Sequence, residues 1–286
     1  MDIYNEVTDR IIAQMENGII PWHKPWIASN QAVSHVTGKA YSLLNQMMLG
    51  RAGEYVTFKQ CQQEGGKVKT GEKSSMVVFW KWVEQKDEEN PEEVKKIPFL
   101  RYFNVFHIDQ CEGIMARHPL EESRPVNPAS ADDKAENVIA KYIATSGVKL
   151  ISRESSEAFY RPSTDTVVLP LIKQFDDTAE YYSTAFHELT HSTGHPKRLN
   201  RITETARFGS APYSREELCA ELGASFLLNR LGIETPGSFR NNAAYINHWL
   251  GVLKEDKRLL VSAAGQADKA VRLILGEETD SDVLEG

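Results

Sequence analysis

Ile3, Tyr4, Val7, Ile11, Ile12 and Met15 recur at helical spacing, and Gly18 stands where a C-terminal cap belongs. Pro21-Trp22-His23-Lys24-Pro25-Trp26 cannot continue that helix and predicts an extended, proline-stiffened loop. A second helix is expected over about residues 42–52, and a short one from Thr57 to Gln63. The short helix runs into a lysine-bearing turn, Gly65 to Lys73. Met76 to Val83 and Ile97 to Ile108 are rich in β-branched and aromatic residues and predict two strands, joined by an acidic connection.

Around residues 116–132 the pattern gives way to Pro, Ser, Asn and charge, the composition of a linker. Beyond it an amphipathic helix is expected from Ala131 to Thr145. Phe159 to Pro170 predicts a hairpin turning at Pro162-Ser163-Thr164-Asp165. Asp176 and Asp177 can cap a helix over Thr178 to Thr193 that Gly194 stops. Ser214 opens another helix reaching Leu231, and two more are expected over about 239–254 and 257–275. The fold class this implies is α+β in two domains, residues 1–120 and 131–286, joined by a linker at 121–130. The first domain is a small sheet with helices. In the second, the strand ending near Leu169 is expected at a sheet edge, where an extended peptide could be added.

Length agrees, since 286 residues exceed the usual single domain. Cys61, Cys111 and Cys219 are odd in number and scattered, which argues for a reducing compartment and against a disulfide framework. No signal peptide and no eighteen-residue apolar run is visible, so a cytoplasmic protein without a membrane span is expected. The net charge of −7 argues against nucleic acid until its distribution is considered. Residues 1–124 hold 15 Lys+Arg and 17 Asp+Glu. Without the stretch from Glu84 to Glu93, which holds one lysine and six acids, 14 bases face 11 acids. The N-terminal half is mildly basic outside one acidic loop.

The chemistry concentrates at His187-Glu188-Leu189-Thr190-His191. Histidines four apart share one helix face and can reach a single ion, with the glutamate beside them as general base. Zinc is the expected metal, although other divalent ions suit the same donors. It lowers the pKa of its water to about 7 and polarises a carbonyl. A catalytic site needs a third protein ligand and an open position. Lys197 stands where a third histidine six residues on would fall, and His195 lies past Gly194, off the helical face. The helix from Ser214 supplies Glu217 and Glu221 on one face, with small Ala220, Gly223 and Ala224 permitting close approach. Glu217 is the expected ligand and Glu221 the carboxylate that orients a histidine, the reverse being the alternative. Ser214 and Glu217 also fit a capping box, which would divert Glu217 to backbone N–H groups.

In the first half Trp22, Trp26, Tyr41, Trp80 and Trp82 are interleaved with Lys24, Lys39, Lys81 and the turn lysines Lys67, Lys69 and Lys73. Flat rings beside cations suit single-stranded nucleic acid, where stacking is worth about 1–3 kcal/mol per base. The competing reading packs the strand tryptophans into a core.

Val7 to Ile12, Pro21 to Trp26, Thr37 to Tyr41, Thr57 to Gln60, Gly65 to Lys73 and Tyr102 to Phe106 resemble the N-terminal domain of ArdC-type antirestriction proteins of conjugative plasmids. Tyr160 to Pro170, His187 to Leu199 and Glu216 to Ala224 are similar to that family's zincin-like domain. The resemblance implies a single-stranded DNA-binding domain joined to a metallopeptidase domain, and protection of incoming plasmid DNA from host restriction. The protein substrate it implies is unspecified, with restriction enzymes or DNA-bound proteins the candidates. Trp22, Lys24, Trp26, Lys39, Tyr41, Lys67, Lys69 and Lys73 are the DNA contacts the chemistry suggests. Alternatives are a DNA-coating protein with a vestigial or structural zinc, and a protease that repairs DNA–protein crosslinks.

Overall fold

The computed structural model describes residues 2–23, 31–86, 94–120, 128–202, 211–233 and 243–277. Helix α1 (Ile3–Glu16) is capped by Asp2, whose carboxylate accepts from the Tyr4 N–H, and its stripe Val7, Ile11, Ile12 and Met15 is buried. Strand β1 (Ala32–Ser34), helix α2 (Leu43–Leu49), strand β2 (Gly53–Thr57) and helix α3 (Phe58–Gln63) follow. Next come β3 (Lys67–Val68), β4 (Ser75–Lys86), β5 (Val94–His107) and β6 (Cys111–Glu112). Thr57 and Gln60 exchange side-chain and backbone hydrogen bonds at the start of α3, closing a capping box there.

The first-half strands make a four-stranded sheet in the order β1-β2-β5-β4 and a two-stranded ribbon of β3 and β6. The expected hairpin strands are therefore present as β4 and β5, longer than predicted. β1, β2, β3 and β6 carried too short a pattern to be read.

The second half begins with α4 (Pro128–Ser146), then β7 (Lys149–Arg153), β8 (Phe159–Arg161) and β9 (Thr166–Pro170). Helices α5 (Thr178–Thr193), α6 (Ala211–Leu231), α7 (Ala243–Glu255) and α8 (Leu259–Leu275) complete it. The hairpin turns where expected, with Asp165 at φ 49° in the left-handed region that aspartate tolerates. Its second strand is not at an edge. β9 lies between β7, its parallel partner, and β8, its antiparallel one, so the edges are β7 and β8. β7, exposed at Ile151 and short, gave no sequence signal; its pairing makes β9 interior and explains the unbroken burial of residues 166–170.

The two halves share one apolar core. Val7, Ile11, Met47, Met76 and Leu100 from the first half join Phe186, Leu222, Leu227, Leu260 and Val271 from the second. Polar ties run alongside: Thr8 Oγ1 donates to the Lys257 carbonyl, and the Leu43 N–H donates to Asp268 Oδ1 at 3.3 Å. An acid of α8 thus stands at the first turn of α2. The expected joint at 121–130 falls partly outside the described residues, and α4 already begins at Pro128, a residue suited to a first turn. No described helix is long and apolar enough to cross a membrane.

Candidate metal centre

Helix α5 starts on the Asp177 carboxylate, which accepts from the Ala179 N–H at 2.8 Å. Tyr182, Ala185, Phe186 and Leu189 bury one face of it. The opposite face carries His187 and His191. Helix α6 crosses close by because Gly223 sits directly beneath Thr190, where any Cβ would stand 2.6 Å from Thr190 Cγ2. Ala220 and Ala224, close to it on α6, are fully buried. That approach brings Glu217 to the two histidines.

His187 Nε2 and His191 Nε2 are 3.1 Å apart, and Glu217 offers Oε2 to the first and Oε1 to the second, each at 3.6 Å. Three donors about 2.0–2.1 Å from a tetrahedral zinc stand about 3.3 Å from one another. The triangle is therefore of the size one ion requires, and two imidazoles with one carboxylate form a donor set that leaves a position open. Among the described residues these three are the group able to hold a metal. Glu188, following the first histidine, is buried.

The capping question resolves physically. α6 begins at Ala211, not at Ser214, so Glu217 lies inside the helix and its carboxylate is not drawn to a helix start. Burial raises the pKa of Glu217, but bonds from His187 and Tyr213 and the nearby histidine charges outweigh it and hold it below the usual carboxylate range.

Glu221 is not at this triangle; its Oε2 accepts from the Tyr245 hydroxyl at 3.4 Å. The carboxylate expected to orient a histidine is instead Glu216. It meets His191 Nδ1 at 3.1 Å and receives Arg201 through Nε at 3.0 Å and Nη2 at 2.8 Å. Arg201 also donates to the Thr193 hydroxyl and the Thr190 carbonyl, which ties it to the last turn of α5. Burial disfavours the charged forms of both His191 and Glu216. Their mutual hydrogen bond overcomes it, raising the His191 pKa and, with Arg201, lowering that of Glu216.

His195 stands 4.0 Å from Asp165, away from the triangle. Asp165 is held by both terminal nitrogens of Arg198 and by the Tyr160 hydroxyl at 2.9 Å, which pins the hairpin turn to the loop after α5. Sequence reasoning missed Glu216, Arg201 and the Asp165–Arg198 pair. Glu216 is adjacent to the chosen ligand and could have been weighed, whereas nothing in the pattern of residues 194–202 marks the arginines.

In the first half the expected contacts separate. Trp22 is a correction: its side chain is 0% exposed in the core, and its Nε1 donates to the Tyr245 hydroxyl at 3.4 Å. Its carbonyl accepts from Ser225, so the loop is seated on α6 rather than offered to solvent. Lys24 and Trp26 lie outside the described residues. Lys39, Lys67, Lys69 and Lys73 are exposed. Lys67 pairs with Glu112 at 3.2 Å, and Lys69 Nζ donates to the Asp109 carbonyl at 2.7 Å. Tyr41 is half-buried, with Phe79 and Tyr55 each 6.2 Å away between ring centres. Phe79 in turn meets Phe103, which is 41% exposed. A chain of rings thus runs from Tyr41 to a solvent-facing Phe103 on one side of the sheet, and no sequence pattern marks Phe79 or Phe103.

A His-Glu-x-x-His helix beside a small mixed sheet, with the third donor from the next helix, defines a zincin-like metallopeptidase domain, and residues 136–266 match the family of that description. Residues 1–106 match the N-terminal domain of anti-restriction factor ArdC. The chain belongs to the ArdC family of antirestriction proteins.

It is similar over its whole length to two crystal structures of the antirestriction ArdC protein from the R388 plasmid. The metal-free one is 36% identical with a TM-score of 0.71, covering 96% of this chain and 97% of that one. The Mn(II)-bound one is 33% identical with a TM-score of 0.75, covering 99% and 100%. The uncharacterized protein y4eC of Sinorhizobium fredii (strain NBRC 101917 / NGR234) is 32% identical over 98% of this chain and 94% of its own. DNA primase TraC of Escherichia coli is 34% identical over 96% of this chain, but the chain spans 27% of that primase.

Proposed function

We propose that this chain is a zinc peptidase that binds single-stranded DNA and protects incoming plasmid DNA from host restriction. The observation that carries the reading is the triangle of His187, His191 and Glu217 with Glu188 buried beside it. A zinc ion held there would polarise a scissile carbonyl and bring the pKa of water to about 7. With such an ion bound, Glu188 would serve as the base for its water and carry the proton to the departing amine. Glu216 accepts from His191 Nδ1, which leaves the Nε2 lone pair for the metal. β8, an edge strand against which α5 packs, can align an extended peptide by strand addition. The Mn(II)-bound relative supports a divalent ion in this fold.

Single-stranded DNA would run over the ring chain of Tyr41, Phe79 and Phe103, with Lys39, Lys67, Lys69 and Lys73 as the exposed cations. Rings of this kind stack bases without regard to sequence, and lysines track the phosphates. Lys24 and Trp26 remain in the proposed set, and Trp22 is withdrawn from it.

Glu188→Gln is the test. The variant is expected to keep its metal and its affinity for single strands while losing hydrolysis of a DNA-bound protein and protection against restriction. Undiminished protection would mean that the protein shields DNA by coating it, without peptide-bond cleavage.

A further inference from the structure

β8 has a neighbour on one side only, β9, so its other side is a free edge. Successive side chains of a strand point to opposite faces. Tyr160 turns inward: it packs against the core that holds Val167 and Leu169, and its hydroxyl donates to Asp165. Phe159 and Arg161 therefore stand on the outer face. There the Arg161 guanidinium lies over the Phe159 ring, 5.0 Å from its centre.

The register sorts that face into two rows. Arg161 pairs with Thr166 of β9, which pairs with Lys149 of β7. Phe159 pairs with Val168, which pairs with Ile151. One row is thus a threonine with a cation on either side, and the next row is apolar throughout. Lys149, Ile151 and Arg161 are exposed. Among the described residues Arg161 meets no carboxylate; the ring beneath it steadies the guanidinium instead.

A strand added to the free edge extends both rows by one place. Its residues beside Arg161 and beside Phe159 lie two apart in sequence, because side chains on one face recur at every second position. Opposite charges on neighbouring strands attract and like charges repel. A charge on an edge strand also discourages pairing by strands with nothing to match it. The edge is selective for that reason.

We propose that Arg161 is a specificity-determining residue for the peptide substrate. The peptide laid along β8 carries an acidic side chain beside Arg161 and an apolar one, two residues away, beside Phe159. The inference rests on the peptidase reading and strand addition at β8, and it names the substrate class as an extended acidic and apolar segment of a protein.

Two measurements on the full chain test it. The first is affinity without turnover, from the fluorescence anisotropy of two labelled peptides. One has glutamate two residues from leucine, and its twin has lysine in place of that glutamate. The wild type is expected to favour the glutamate peptide by up to about fivefold, the worth of one cross-strand ion pair. Arg161→Ala should lose the preference and Arg161→Glu should reverse it, a reversal that a damaged fold cannot produce. The second measurement sequences the cuts that the zinc-loaded wild type makes in a random peptide library, with a single-stranded oligonucleotide present. Acidic residues should be enriched at one position fixed relative to the cut, with apolar residues enriched two positions away. Equal affinities in the wild type, a preference unchanged by Arg161→Glu, or cuts without acid enrichment would overturn the role of Arg161 and leave the peptidase reading in place. A library left uncut would overturn the peptidase reading itself, and the inference with it.

Discussion

His191 Nδ1 lies 3.1 Å from Glu216 Oε1, and that same oxygen receives Arg201 Nη2 at 2.8 Å. The imidazole is thereby fixed with Nε2 turned to the ion position, and the acid is fixed by an arginine anchored to α5. Glu216→Gln removes the charge that sets the tautomer. Metal affinity is expected to fall about 10–100-fold, measured by competition with a chromophoric chelator. Wild-type affinity in that variant would show that His191 is oriented by other groups.

The spacing of α5 and α6 depends on Gly223. Replacing a helical glycine by alanine ordinarily stabilises by about 1 kcal/mol. Here the new methyl would stand 2.6 Å from Thr190 Cγ2 and 2.7 Å from its Oγ1. Overpacking of this kind costs about 1–3 kcal/mol, so the clash wins. Gly223→Ala should lower the melting temperature and weaken metal binding together, since the helix that moves carries Glu217. A melting temperature above the wild type would show that the helices can separate without strain.

Asp165 ties the hairpin to the loop after α5 through Arg198, whose side chain is nearly inaccessible. Burial raises the Asp165 pKa, but the bonds from Arg198 and Tyr160 outweigh it and hold it below the ordinary aspartate value. A folded pKa below the unfolded one means that the pair's contribution is complete above about pH 3.9 and is lost as pH falls through the folded value. Asparagine tolerates the left-handed backbone at this position, so Asp165→Asn isolates the charge. The variant should lose about 3 kcal/mol at neutral pH, because it leaves the guanidinium uncompensated, and should approach the wild type in acid. Denaturant melts across pH 2–7 check both parts, and parallel curves would deny the linkage.

Affinity for single strands should fall linearly in log–log form with added salt, by about 0.7 per phosphate neutralised. Lys39→Ala should make that slope shallower by about the same amount. Phe103→Ala should leave the slope unchanged while weakening binding by about 1–3 kcal/mol, the worth of one stacked base. Titrations with fluorescent oligonucleotides at several salt concentrations separate the two effects. A Phe103→Ala protein with wild-type affinity would move the binding face elsewhere.

The long periodic segments were legible from sequence: α5 occupies the residues its pattern predicts, because Asp177 caps it and Gly194 ends its run. The strands β1, β2 and β7 were not, since three- and five-residue strands offer too few alternations to stand out. Trp22 misled because a proline-flanked loop suggests exposure, whereas its burial depends on Tyr245 and Ser225, more than 200 residues away. The histidine–glutamate pattern could be read because helix geometry alone brings His187 and His191 together. Arg201 could not, because its placement depends on how the loop after α5 folds back, and Glu216, though adjacent to the chosen ligand, is singled out only by that arginine. The odd cysteine count hid a pairing of another sort: Cys61 and Cys111 pack together with Val56 as buried thiols.

The account rests most directly on one ion held by His187, His191 and Glu217. Metal analysis after dialysis against Zn²⁺ at neutral pH should find one ion per chain in the wild type and far less in Glu217→Ala, with the fold retained in both. A Glu217→Ala protein that carries a full equivalent of zinc, or a wild type that carries none, would contradict it.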